Sequence, residues 1–174
     1  MQRASLFLAF PLALFLSACH LDQPVTPVDD GTIALRAPKP SASGQAGILI
    51  GEHVQHFSFH AQLNSDGTVS GSWESKSPSQ DIRAHGEITC LEFEGTNEAY
   101  LVGFITHFTL GEDPVFVPEI GDEIWFNVID NGEGNNSPPD LFSDWYWFGG
   151  NNAPCFNFSF PMIEIVTGNI QVKP

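Results

Sequence analysis

Basic side chains are scarce in this chain: six Lys and Arg stand against 21 Asp and Glu in 174 residues, a formal charge of -15. The cations are scattered from Arg3 to Lys173 and form no stripe. Nothing is there to displace counterions along a phosphate backbone, so nucleic acid is not expected as a partner. Such an acidic surface is also repelled by anionic headgroups, which leaves membrane attachment to something other than surface charge. Long apolar runs are missing too: the run at residues 4–16 is shorter than the roughly 20 residues that a bilayer-spanning helix needs. Beyond it no window carries a 3.6-residue apolar stripe. Prolines at 114, 118, 138, 139, 154 and 161 confine any helix in the second half to a turn or two. Motifs of catalysis are absent as well, with no Gly-x-Ser-x-Gly, no Walker loop and no His-Glu-x-x-His, so an enzyme is not the leading expectation.

What is present begins with MQRASLFLAFPLALFLSAC: one Arg, an apolar run and then small residues, the layout of a secretory signal. Leu16, Ser17, Ala18 and Cys19 resemble at all four positions the lipobox of bacterial lipoproteins. That resemblance implies removal of residues 1–18 and lipidation of Cys19. Acyl chains hold at about 0.8 kcal/mol per buried methylene, so the expected product stays on a membrane through its N-terminal anchor. His20, where an Asp would retain the protein, resembles the pattern that sends Gram-negative lipoproteins to the outer membrane. Loss of residues 1–18 takes away only Arg3 among the charged groups, so -15 becomes -16. Residues 19–44 hold four prolines and little apolar content; they read as a semi-extended stalk with one short strand at 32–36. The folded domain is expected over residues 45–174.

From residue 46 the apolar period becomes two. In residues 54–63 Phe57, Phe59, Ala61 and Leu63 alternate with His56, Ser58, His60 and Gln62, and in residues 68–75 Val69 and Trp73 alternate with Ser70, Ser72 and Glu74. The turn at Asn64, Ser65, Asp66 and Gly67 joins the two into a hairpin. In residues 81–95 Ile82, Ala84, Ile88 and Cys90 share one face, while residues 99–108, AYLVGFITHF, are apolar on both faces and belong in the middle of a sheet. Further strands are expected at 122–130, 143–149, 155–160 and 162–173, the last interrupted at Gly168. The fold class is therefore all-β: a single antiparallel β-barrel or two-sheet β-sandwich of about eight strands, with a barrel favoured because closure removes unguarded edges. Cys90 and Cys155 remain once Cys19 carries lipid, and in an export compartment they are expected to be joined.

The blocks HGEITCLEFEGTNEAYLVGFIT at 85–106 and GDEIWFNVIDNGEGNNSPPD at 121–140 resemble the two signatures of a family of small secreted bacterial all-β domains of uncharacterised function. The resemblance spans residues 57–172. It implies a framework shared by Cys90 and the loop at 130–140, and it carries no activity.

Three candidate sites follow from the residues. The loop DNGEGNNSPPD offers Asp130, Glu133, Asn135 and Asp140 to a hard cation such as Ca2+, which takes six to eight oxygens. The same loop lacks EF-hand spacing, and its Asn-Gly and Pro-Pro pairs are equally those of a plain turn. In DWYWF, Trp145 and Trp147 point to one face, and with Trp125 they would make a platform for sugar rings if that face is exposed. Histidines at 53, 56, 60, 85 and 107 lack the His-x-His spacing of a strand-borne metal site. The expected function is a lipid-anchored cell-envelope protein acting as a binding or structural module, its partners the membrane and an envelope glycan or small apolar ligand. The alternatives are a carbohydrate-binding module on the tryptophan face and a small β-barrel hydrolase or isomerase.

Overall fold

The computed structural model describes residues 38–109, 117–134, 136–148, 155 and 160–174. Cys19, the signal segment, the short strand at 32–36 and Asn135 lie outside the described residues. Among the described residues ten strands follow in chain order: β1 (Ser41–Ile50), β2 (His53–Leu63), β3 (Val69–Ser77), β4 (Ile82–Glu94), β5 (Glu98–Thr109), β6 (Glu123–Ile129), β7 (Leu141–Phe142), β8 (Tyr146–Phe148), β9 (Ile163–Glu164) and β10 (Thr167–Lys173). All pairings are antiparallel, in the order β10-β1-β2-β3-β4-β5-β6-β7-β9, with β8 on β6 beside β7. The all-β antiparallel class expected from the two-residue period is what forms. Among the described residues the strand count exceeds eight because β1 was not foreseen and because β7 and β9, two residues each, are too short to show a period.

The hydrogen-bonded ladder of the described residues does not close into the barrel favoured on sequence grounds, since β10 and β9 end it unpaired with each other, but aromatic packing shows how the sheet curls over itself. The ring of Phe57 on β2 lies 4.9 Å from that of Phe126 on β6 and 4.6 Å from that of Phe142 on β7. Those strands stand four and five places away along the hydrogen-bonded path, so the sheet curls until its inner face meets itself. Phe59 and Trp73 complete the filling, 5.4 Å from Phe126 and 5.9 Å from Phe57. The interior is thus a packed aromatic core, where each fully buried large side chain contributes about 1.5–3 kcal/mol. β5 lies between β4 and β6 and is buried on both faces, Leu101 and Ile105 inward, Tyr100 and Val102 outward.

Several local expectations are corrected. β1 starts at Ser41, inside the expected stalk; its inward positions Ala42, Gly44 and Ala46 are small, so its apolar signal is faint. The interruption before β10 falls at residues 165–166 rather than at Gly168. Gly168 lies within the strand at φ 108, where a Cβ would run into the carbonyl oxygen of Gln45. The strand expected at 143–149 begins only at Tyr146. Of the strand expected at 155–160, only Cys155 and Phe160 are among the described residues. Most consequential is Cys90, expected beside Ile88 on the apolar face. A register shift between Ile88 and Cys90 inserts one residue into β4. Leu91 therefore follows Ile88 into the core, and Cys90 turns to the outer face, paired across from Val102. There it forms the expected disulfide with Cys155, closing 65 residues of chain.

Candidate functional site

The loop at 130–140 leaves β6 and returns as β7, and its carboxylates meet backbone amides. Asp130 accepts from Gly132 N at 2.8 Å through Oδ1 and from Val172 N at 3.0 Å through Oδ2. Asp140, which is buried, accepts from Asn131 N at 2.8 Å through Oδ1 and from Ile170 N at 2.8 Å through Oδ2. Glu133 accepts from the side chain of Asn169 at 2.9 Å. Each oxygen of Asp130 and Asp140 thus already accepts one backbone N–H. Among the described residues no group of three or more His, Cys, Asp or Glu is placed to hold a metal ion. The loop carboxylates meet the edge of β10, left open because the ladder runs from β10 to β9 without joining them.

The tryptophans divide between two faces. Val128 pairs with Phe142 and Trp125 with Tyr146, so two residues of β6 face three, 143–145, on the opposite segment: a bulge. Asp144 makes it by adopting φ 63, a conformation that Asp and Asn tolerate better than most side chains. Ser143 patches the ladder, its Oγ accepting from Asn127 N at 2.9 Å while its own N–H donates to Asn127 O. The extra residue sends Trp145 and Trp147 toward the core, their rings 5.7 Å apart, with Trp145 5.6 Å from Trp73. Tyr146 points the other way and stacks on Phe160 at 4.2 Å. Trp125 lies on the face of β6 opposite Ile124 and Phe126. Trp125 is therefore not brought together with Trp145 and Trp147.

Beneath this bulge sits a polar knot that the sequence did not flag. Gln55 Nε2 donates to Ser75 Oγ at 3.0 Å and to Asp144 Oδ1 at 3.2 Å, and Trp145 Nε1 donates to Ser75 Oγ at 3.2 Å. Burial pushes the Asp144 carboxyl up to about 6, against the opposing pull of the Trp145 and Gln55 hydrogen bonds. The only signal available was an Asp ahead of alternating aromatics, which is common on strands.

A second feature appears on the outer face, where register aligns polar residues from strands distant in sequence. One row runs Asn169, Gln45, Ser58, Glu74, His85 and His107 across β10, β1, β2, β3, β4 and β5. The next runs Thr167, Gly47, His56, Lys76, Arg83 and Thr109. Glu74 ties the two rows together: Lys76 Nζ lies 2.9 Å from its Oε2, and Arg83 Nη2 and Nε lie 2.6 and 2.9 Å from its Oε1. Those cations, Lys76 foremost, hold the Glu74 carboxyl below the usual range. His85 and His107 stack at 4.9 Å. Three adjoining hollows of about 450, 500 and 470 Å3 share Gln45 and lie along these rows. At about 4.8 Å between strands, the trough extends roughly 19 Å from β10 to β4.

No family model matches this chain, and neither a curated protein nor a solved structure matches it.

Proposed function

We propose that the chain is a lipid-anchored protein of the bacterial cell envelope, held on the membrane through Cys19 and, in a Gram-negative host, on the outer membrane. Its β domain acts as a binding module that uses the outer trough rather than an interior cavity. The observation that carries this reading is where the space lies. The interior is occupied by Phe57, Phe59, Trp73, Phe126 and Phe142, whereas three hollows join on the outside around Gln45. A small barrel that carries or transforms an apolar ligand needs the inside space that these rings fill. The resemblance of residues 85–106 and 121–140 to small secreted bacterial domains belongs to the same proposal, as does the carbohydrate reading, moved from the tryptophans to the trough.

Two measurements test it. Metabolic labelling with a palmitate analogue should mark the wild type and not Cys19→Ala, and the variant should leave the membrane fraction. Full-length protein in detergent should be retained on immobilised envelope polysaccharide, and Ser58→Trp, which places an indole in the middle of the trough, should not. A soluble unlabelled wild type would end the anchoring half; retention unaffected by Ser58→Trp would end the trough half.

A further inference from the structure

Resting on that reading of the trough, we propose that it takes an extended anionic polysaccharide strand, with a carboxylate or phosphate group of the polymer lying against Lys76 and Arg83. Shape argues for a strand. A trough this shallow cannot enclose most of a small ligand's surface, which is how compact sites gain affinity. An extended ligand instead collects many weak contacts along its length. The lining suits a hydroxyl-rich chain: the Gln45 amide and the hydroxyls at Ser43, Ser58 and Ser72 both donate and accept, while the amide N–H groups of Asn169 and Gln171 are held by Glu133.

Charge argues for an anion. The three hollows are lined by two cations, Lys76 and Arg83, and one carboxylate, Glu74, a formal +1 with histidines neutral, on a chain whose formal charge is -15. Glu133, bonded to Asn169, and Glu87, opposed in register to Ser72, stand at the trough's borders, so the attraction for an anion is local to Lys76 and Arg83. Glu74 engages each cation only in part. The Lys76 ammonium has three donors and the Arg83 guanidinium five, of which one and two respectively point at Glu74. Both side chains remain accessible, at 45% and 56% exposure, so the spare donors face the trough and solvent. The pair of cations stands directly opposed in register on β3 and β4, a like-charge pairing that Glu74 offsets through its two ion pairs and that an incoming anion would relieve further.

The test is titration calorimetry of full-length protein in detergent against three polymers of similar length: polygalacturonate, poly(glycerol phosphate) and neutral dextran. At least one polyanion should bind about tenfold more tightly than dextran, with affinity falling as salt rises; which one does so tells carboxylate from phosphate. Lys76→Gln with Arg83→Gln should abolish that preference. Glu74→Gln, which frees both cations, should strengthen polyanion binding, a gain that misfolding cannot mimic. Equal binding of dextran and the polyanions, or a preference unchanged in the Lys76 and Arg83 variant, overturns the anionic assignment and leaves the trough reading standing. Failure of all three polymers to bind overturns both.

Discussion

Asp140 holds a carboxylate oxygen 2.8 Å from the backbone nitrogen of Ile170, 30 residues further along the chain. Asp130 does the same for Val172 at 3.0 Å. β1 pairs along one edge of β10, and on the other edge these two side chains accept the hydrogen bonds that a neighbouring strand would have taken. An exposed strand edge is a template for unwanted pairing, and a buried N–H without an acceptor is costly. The loop of prolines, glycines and asparagines therefore acts as a latch on an otherwise open sheet.

Asp140→Ala leaves the N–H groups of Ile170 and Asn131 without their acceptor. A loss of about 1–3 kcal/mol per stranded donor is expected, with faster amide exchange at Ile170. Asp140→Asn, which keeps one acceptor oxygen, should lose less. Hydrogen exchange followed by NMR checks this; unchanged protection at Ile170 in Asp140→Ala would remove the latch.

Calcium is expected to do little. Since the oxygens of Asp130 and Asp140 already face N–H groups, the melting temperature of EDTA-treated protein should stay put at millimolar calcium. A rise of several degrees with measurable heat would mean that the loop rearranges around the ion.

Asp144 gives stability a pH dependence of definite sign. Its folded-state value of about 6 stands above the ordinary 3.8, so the folded form holds its proton more tightly than the unfolded form. The contribution of this group is most favourable below pH 3.8, declines as pH rises toward 6, and is lost above that. A shift of about two units corresponds to roughly 3 kcal/mol at most. Asp144→Asn keeps an acceptor for Gln55 and tolerates the left-handed backbone. Thermal melts should show the variant gaining stability at pH 7.5 relative to the wild type and gaining much less at pH 4. Parallel pH profiles for the two proteins would contradict the burial of this carboxyl.

Reduction of the Cys90–Cys155 bridge, or Cys90→Ala with Cys155→Ala, releases a 65-residue constraint and should lower stability by up to about 4 kcal/mol. Melting with and without reductant measures it. Free-thiol titration of the unfolded oxidised protein should find neither cysteine reactive; two reactive thiols would rule the bridge out.

The tryptophan segment shows where reading a sequence stops. Its alternation was legible, and Trp145 and Trp147 do share a face. Which face could not be read, because one extra residue at Asp144 decides it, and a bulge has no composition of its own. The same holds at Cys90, whose turn to the outside follows from a single inserted residue in β4.

Periodicity and composition by themselves determined the all-β class, the positions of β2 to β6, the burial of β5 on both faces and the disulfide partners, because each depends on neighbours within a few residues or on there being few candidates. Tertiary structure alone decided the rest. The rows that put Glu74 between Lys76 and Arg83 and beside Ser58 exist only through the registers of three strands, and the Asp130 and Asp140 contacts with β10 only through the curl of the whole sheet. A two-residue period says which way a side chain points relative to its neighbours; the curl of the sheet determines what it then meets.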